Sequence, residues 1–366
     1  MHELDELDSD PPTLELTRAS PTCSNYLPVP AKSRNKIDTA GSCRRMRLPP
    51  AKLIATLYVA ALSFLGGQAI GHITAGSAKM SLATSAAANV SASEGWRFVT
   101  RHSIAILSTE YAPVAYYVPD APRHVLVLAF GYPWPDRTAS NAKILSYARM
   151  NLVRWTQFAD RTHILLIAPA LGGTNFFDFR ALGGRLIGAD IFVNALLDGP
   201  ANRVIPGLGG RFCLYGHSAG AQFAARYVIA HPERLQCTVL SAPSTYPMPS
   251  TSAPWPFGMA HLDGGVLPGI GPKNWIEAAT DAPITVIIGS DDLERRPEAP
   301  GQVGETRLSR GRAWVESMQA LATSHRRASE VSFTEIACVD HDESSMAKAA
   351  RRVLERFYSA PSNHAI

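Results

Sequence analysis

Net charge is nearly absent from this sequence: 35 Lys and Arg stand against 31 Asp and Glu, a balance of +4 over 366 residues. A nucleic-acid surface needs basic residues massed on one face or stripe, and here the arginines of the C-terminal half are scattered. No nucleic-acid partner is expected. Cysteine is scarce as well, with five in the chain. There is no CxxC pair and no Cys/His cluster, so the pattern indicates neither a zinc site nor a small disulfide-stapled domain, and no metal is expected. Cys23 and Cys43 lie in a polar leader. Cys213, Cys237 and Cys338 sit in apolar runs that read as strands, where buried free thiols serve as small apolar side chains. Three thiols cannot all pair with one another, so the redox compartment stays open. Internal repeats are missing too.

Long apolar runs are almost lacking. The exception is Leu53 to Leu65, broken only by Thr56 and Ser63 and preceded by Arg44, Arg45, Arg47 and Lys52. A positive flank before such a run is the pattern of a secretory signal. Stretched over residues 53–71, it also approaches the roughly 20 residues that cross a bilayer, so cleaved signal and membrane anchor stay open. Residues 1–45 begin acidic (Glu3, Asp5, Glu6, Asp8, Asp10) and hold too little apolar surface to offset ordering entropy. They read as a disordered leader upstream of a start at Met46, with 46–72 as the signal or anchor. Small polar residues make 73–95 a linker. The expected location is outside the cytoplasm: periplasmic, secreted, or anchored facing out.

From Trp96 to about residue 360 the pattern is that of one globular domain, in a chain that is 46% hydrophobic and 18% charged. Strand candidates are 124–131, 163–171, 212–216, 237–243, 284–290 and 331–339. Their unbroken apolar character suits strands covered on both faces. Helical stripes fall between them: Ile144, Ala148, Leu152, Trp155 and Ala159; Leu308, Val315, Met318 and Leu321; Met346, Val353, Leu354 and Phe357. Strand and helix in alternation predict an α/β fold with a mostly parallel, doubly wound sheet.

Residues 216–220 read Gly-His-Ser-Ala-Gly between an apolar strand and a helix. The spacing alone is weak, but this context is the one a nucleophile turn requires. Small residues on either side of Ser218 relieve a sharp strand-to-helix turn, which lifts the hydroxyl clear of the sheet at a helix N-terminus. A serine hydroxyl needs a base to take its proton, and the base needs an orienting carboxylate. One later strand runs into Ser290-Asp291-Asp292 and the last into Asp340-His341-Asp342. Of the eleven histidines, His341 alone stands at a strand end late in the chain. Asp292 and Asp291 both remain candidates for the acid.

The elbow, the Gly-Ser-Asp-Asp turn and the Asp-His-Asp turn resemble the α/β-hydrolase superfamily over roughly Trp96 to Tyr358. The segments SAPSTYPMP, WPFGM and HDESSM are similar to bacterial secreted or membrane-tethered esterases of a poly(hydroxyalkanoate)-depolymerase-like kind. The resemblance implies the chain order Ser218, Asp292, His341, favouring Asp292, which stands three residues after the glycine of its turn. It implies hydrolysis of a small or polymeric carboxylic ester through an acyl-enzyme, with no cofactor. A peptidase or thioesterase with the same triad, or a silent hydrolase-like binding protein, are the alternatives. The N–H of Ala219 and one from the loop at Phe130-Gly131-Tyr132 would form the oxyanion hole, with Tyr132 the candidate donor; relatives often carry His-Gly there. Tyr246, Trp255, Phe257 and Trp275 lie in a Pro- and Gly-rich stretch expected to form a short irregular cap or lid. They either line a substrate pocket or pack an irregular loop.

Overall fold

The computed structural model describes residues 95–131, 139–208, 210–260, 262 and 269–359. The leader, the signal or anchor segment and Tyr132 lie outside these residues. The described fold belongs to the unit Ser85–Ile366.

Eight strands form one sheet: β1 (Ala105–Leu107), β2 (Val114–Tyr117), β3 (His124–Ala129), β4 (Ile164–Pro169), β5 (Phe212–His217), β6 (Leu235–Ser241), β7 (Ile284–Gly289) and β8 (Val331–Ile336). Their spatial order is β1-β2-β4-β3-β5-β6-β7-β8. Pairing is antiparallel at β1/β2 and β2/β4 and parallel from β4 across to β8. All six residues of β4, β5 and β7 are buried, whereas the edge strand β8 mixes exposed and half-buried positions. The unbroken apolar runs thus belong to strands with helices on both sides, as expected.

The principal helices are α1 (Asn141–Leu152), α2 (Thr156–Thr162), α3 (Ala189–Leu196), α4 (Ala219–Ala230), α5 (Pro272–Asp281), α6 (Arg307–Ser324) and α7 (Glu343–Ser359). Residues of α3, α4, α5 and α6 pack into one core cluster and those of α1, α2 and α7 into another. The sheet is therefore doubly wound, with two apolar layers. The stripe through α1 and α2 is buried throughout, at Ile144, Ala148, Leu152, Trp155 and Ala159. In α6 the buried face turns toward Trp314, Val315, Met318 and Ala322, leaving Leu308 and Leu321 at its margin. Phe357, placed on the apolar stripe of α7, is 38% exposed instead; Ala347 and Ala350 take the buried positions.

The cysteine reading needs correction. Cys213 and Cys237 are joined by a disulfide rather than standing as free thiols. They are partners in the β5/β6 register, with Cα atoms 4.7 Å apart, close enough for a bridge to form without moving the backbone. Cys338 is disulfide-bonded too, and it lies beyond the end of β8, at φ 57°, not within a strand.

Candidate active site

The turn that carries Ser218 has a backbone that positions the rest of the site. β5 ends at His217, α4 begins at Ala219, and Ser218 between them has φ 54° and ψ −114°. An L-residue adopts such a backbone only where surrounding structure enforces it. Here the Ser218 N–H donates to the Ser241 carbonyl at 2.9 Å. A Cβ at Gly216 would stand 2.4 Å from the Gly220 carbonyl oxygen, and one at Gly220 would stand 2.0 Å from that of Ala129. Neither position has room for a side chain. The two glycines let the turn close and the helix pack against β3.

The structure brings Ser218, His341 and Asp292 together. His341 Nε2 lies 3.0 Å from Ser218 Oγ, and His341 Nδ1 lies 2.7 Å from Asp292 Oδ2. Asp291, the other candidate, is exposed and accepts from the Ser290 hydroxyl at 2.9 Å, away from the histidine. The Asp and His loops are laced to each other. Ser290 N–H donates to Ile336, Asp291 N–H to Val339, and Cys338 N–H to the Ser290 hydroxyl.

Sequence reasoning missed Arg307. This side chain, buried at the start of α6, donates to Asp292 Oδ1 at 2.6 Å and reaches Glu294 at 3.2 Å. Burial by itself would raise the Asp292 carboxyl. The His341 hydrogen bond and the Arg307 charge outweigh it and hold the group below the usual carboxylate range. His217 lies with its ring 5.0 Å from that of His341, and its Nδ1 is 3.0 Å from the Ser241 hydroxyl. Burial first, then the neighbouring His341, push His217 down to about 3. It therefore stays neutral and places no competing charge beside His341.

Of the expected oxyanion donors, Ala219 starts the helix after Ser218 and Tyr132 lies outside the described residues; Gly131, before it, sits against the elbow. A Cβ on Gly131 would come within 2.8 Å of the Ala219 nitrogen and 2.9 Å of Ser218 Cβ, so bare backbone is what fits against the elbow. Phe130 is buried on the opposite face, edge-on to Tyr215. A cleft of about 330 Å³ opens here, with Ser218, His341, Gly131, Tyr147, Arg154 and Glu343 in its wall. Arg154 and Glu343 pair at 2.8 Å, and Glu343 Oε1 is buried with no protein partner. Burial pushes the Glu343 carboxyl up to about 7 in spite of Arg154.

The aromatic candidates divide. Tyr246 is fully buried and stacked on Trp314, so it packs the core and not a substrate pocket. Trp275 is buried too, donating its indole N–H to the Pro247 carbonyl at 3.1 Å. Trp255 is half-buried, edge-on to Trp275, with its N–H on the Ala181 carbonyl at 3.2 Å. Of these aromatics, Phe257 lines a cleft, described below.

No protein-family model matches the chain, and no curated protein matches it. Solved structures do. One similar fold is LpqC, a poly(3-hydroxybutyrate) depolymerase from Bordetella parapertussis, at 20% identity and a TM-score of 0.55, covering 69% of this chain and 89% of that one. Another is poly(aspartic acid) hydrolase-1 from Sphingomonas sp. KT-1, at 20% identity and a TM-score of 0.53, covering 69% of this chain and 97% of that one. Sheet order, elbow and neighbours agree: the chain has the α/β-hydrolase fold.

Proposed function

We propose that the protein is a serine hydrolase that cleaves a carboxylic ester through an acyl-enzyme. The observation that carries this is the unbroken relay from Ser218 Oγ through His341 to Asp292, at 3.0 and 2.7 Å, raised on a strained turn. Ser218 Oγ attacks the ester carbonyl while His341 Nε2 takes its proton. Asp292 holds the Nδ1–H and stabilises the imidazolium, and Arg307 keeps Asp292 ionised. The Ala219 N–H, with a second donor from the Gly131–Tyr132 loop, meets the developing oxyanion. The proton on His341 passes to the departing alcohol. Water then enters, loses a proton to His341 and releases the acid, restoring Ser218.

The test is a fluorophosphonate probe together with a panel of p-nitrophenyl esters, thioesters and peptide anilides. Labelling at Ser218 with turnover of esters above the other two classes is the expected result. Label on another residue, or anilides cleaved best, would overturn it. Export is proposed alongside, through residues 46–72, with residues 53–71 retained as an anchor or removed. The Cys213–Cys237 bridge supports export, because structural disulfides persist in oxidising compartments. Cell fractionation with intact-mass measurement tests this; a cytoplasmic protein retaining Met1 would sink it.

A further inference from the structure

A second cleft, of about 290 Å³, is lined by Gln222 and Arg226 of the helix that follows Ser218, and its wall carries Arg180, Arg226, Arg296 and Arg310 against Asp178 and Glu298. It is tied to the elbow through Gln222. That residue sits one helical turn from Ser218, its N–H donating to the Ser218 carbonyl at 3.1 Å. Its side-chain amide holds the cleft wall by donating to the Ser244 hydroxyl at 3.0 Å and accepting from the Thr245 hydroxyl at 2.8 Å.

Two of these arginines are buried without an acid in contact among the described residues. Arg226, 1% exposed, donates to the carbonyls of Pro256, Gln222 and Thr245 and to the Thr245 hydroxyl. Arg310, 4% exposed, donates to the carbonyls of Gly304, Ser244, Arg296 and Pro297. Carbonyl dipoles solvate a guanidinium but do not cancel its charge, and buried cations ordinarily find a carboxylate. Each guanidinium has five N–H donors, and four hydrogen bonds leave one donor open on each. Burial, then the Arg180 charge, push Arg226 down to about 9, the direction expected of a cation short of a counterion. Arg180 itself is exposed at the rim. Arg296 is already engaged by Glu294 at 2.8 Å. Phe257 and Pro256 supply an apolar wall, Phe257 lying under the Arg226 guanidinium at 5.9 Å.

We propose that this cleft is a subsite for a carboxylate carried by the substrate, joined to the scissile ester by a short aliphatic linker. The linker runs along Phe257 and Pro256, and the carboxylate supplies the counterion that Arg226 and Arg310 lack, with Arg180 closing the rim. This rests on the ester-hydrolase reading for the bond cleaved, but not for the binding of the anion.

The experiment has two arms, both on the full chain. In the first, kcat/KM is compared for p-nitrophenyl hydrogen glutarate and the uncharged p-nitrophenyl valerate. The glutarate ester should be preferred. Arg180→Gln should cut that preference about threefold and Arg180→Glu about tenfold. Raising salt from about 0.05 M to about 0.5 M should shrink the preference, since an exposed rim charge is screened. In the second arm, turnover is removed with Ser218→Ala and free glutarate is tested for raising Tm. Glutaramide should not raise it, and Arg180→Glu should abolish the effect. Stabilisation by glutarate without turnover of either ester would sink the ester reading and leave the subsite standing. Equal turnover of the two esters with no glutarate stabilisation would overturn the subsite, as would a preference untouched by both Arg180 substitutions and by Arg226→Lys. Stabilisation by inorganic phosphate equal to that by glutarate would overturn the assignment to a carboxylate.

Discussion

The two clefts are alike in size, about 330 and 290 Å³, and differ in how their charges are closed. Around Ser218, among the described residues, the buried charges have opposite ones in contact: Asp292 has His341 and Arg307, and the largely buried Glu343 has the exposed Arg154. Around Arg226 and Arg310 carbonyls and the Thr245 hydroxyl, all uncharged, do the solvating among the described residues. A closed network suits moving one proton along a fixed line, because no ligand is needed to complete it. An open one suits holding a ligand, because the charge is already desolvated. The first should therefore fail at single atoms, and the second should fail gradually with charge.

The sharpest break is Ser218→Ala. Oγ is the proposed nucleophile and, among the described residues, hydrogen-bonds to His341, so kcat should fall on the order of 10⁶-fold while Tm hardly moves. Fluorophosphonate labelling should vanish with it. Glutarate binding, read by Tm, should survive, since the second cleft does not use that hydroxyl.

Next is Asp292→Asn, which should lower kcat by roughly 10⁴, because the amide favours the wrong tautomer of His341. Asp291→Asn, outside the relay, should change kcat less than about twofold, within the roughly ±0.5 kcal/mol of an ordinary surface change. Equal losses for the two would mean that the closed network is not the one drawn here.

Arg307→Leu tests the closure itself. Leaving a carboxylate buried without its cation should cost about 3 kcal/mol of stability, seen in the urea midpoint. The pH dependence has a definite sign. The depressed Asp292 carboxyl adds stability that is complete above its unfolded value and is lost as pH falls through the lower folded value. Without Arg307 the folded value rises, so acid unfolding should begin at higher pH. An unchanged acid limb would mean that His341 alone keeps Asp292 ionised.

The contrast between the clefts also explains what could be read from the sequence. Ser218, His341 and the Asp turn were legible because a nucleophile elbow and strand-end loops demand particular residues at particular places. Choosing Asp292 over Asp291 needed the family resemblance; in the structure, burial separates them. Arg307 lies 15 residues from Asp292 at the start of a helix, where no local period marks a buried cation. Arg226 and Arg310 escaped for the same reason: on a sequence they are two more scattered arginines. β1 and β2, at three and four residues, are too short to show a period, and so the antiparallel edge was missed. The Cys213–Cys237 bridge depends on strand register, which a parallel crossover does not announce. Tyr246 and Phe257 were indistinguishable as aromatics in one loop; only packing sent one into the core and the other into the second cleft.

The smallest effect concerns the one imperfect closure in the first cleft. Glu343 pairs with Arg154, yet its Oε1 is buried without a partner and the carboxyl is pushed up to about 7 by burial. Its ordinary value is 4.5. Between those two values the folded state holds a proton that the unfolded state has released, so this residue's contribution to stability is complete below the lower value and is lost as pH rises through the upper. Glu343→Gln keeps the shape, removes the titration and leaves Arg154, whose side chain is 34% exposed, to water. Wild-type Tm should therefore fall more between about pH 5 and about pH 8 than that of the variant. At the acid end, where the wild-type carboxyl is also neutral and matches the amide in charge and shape, kcat/KM should agree within about threefold. Parallel Tm profiles would mean that Arg154 keeps Glu343 ionised throughout, and that the first cleft is closed at every charge.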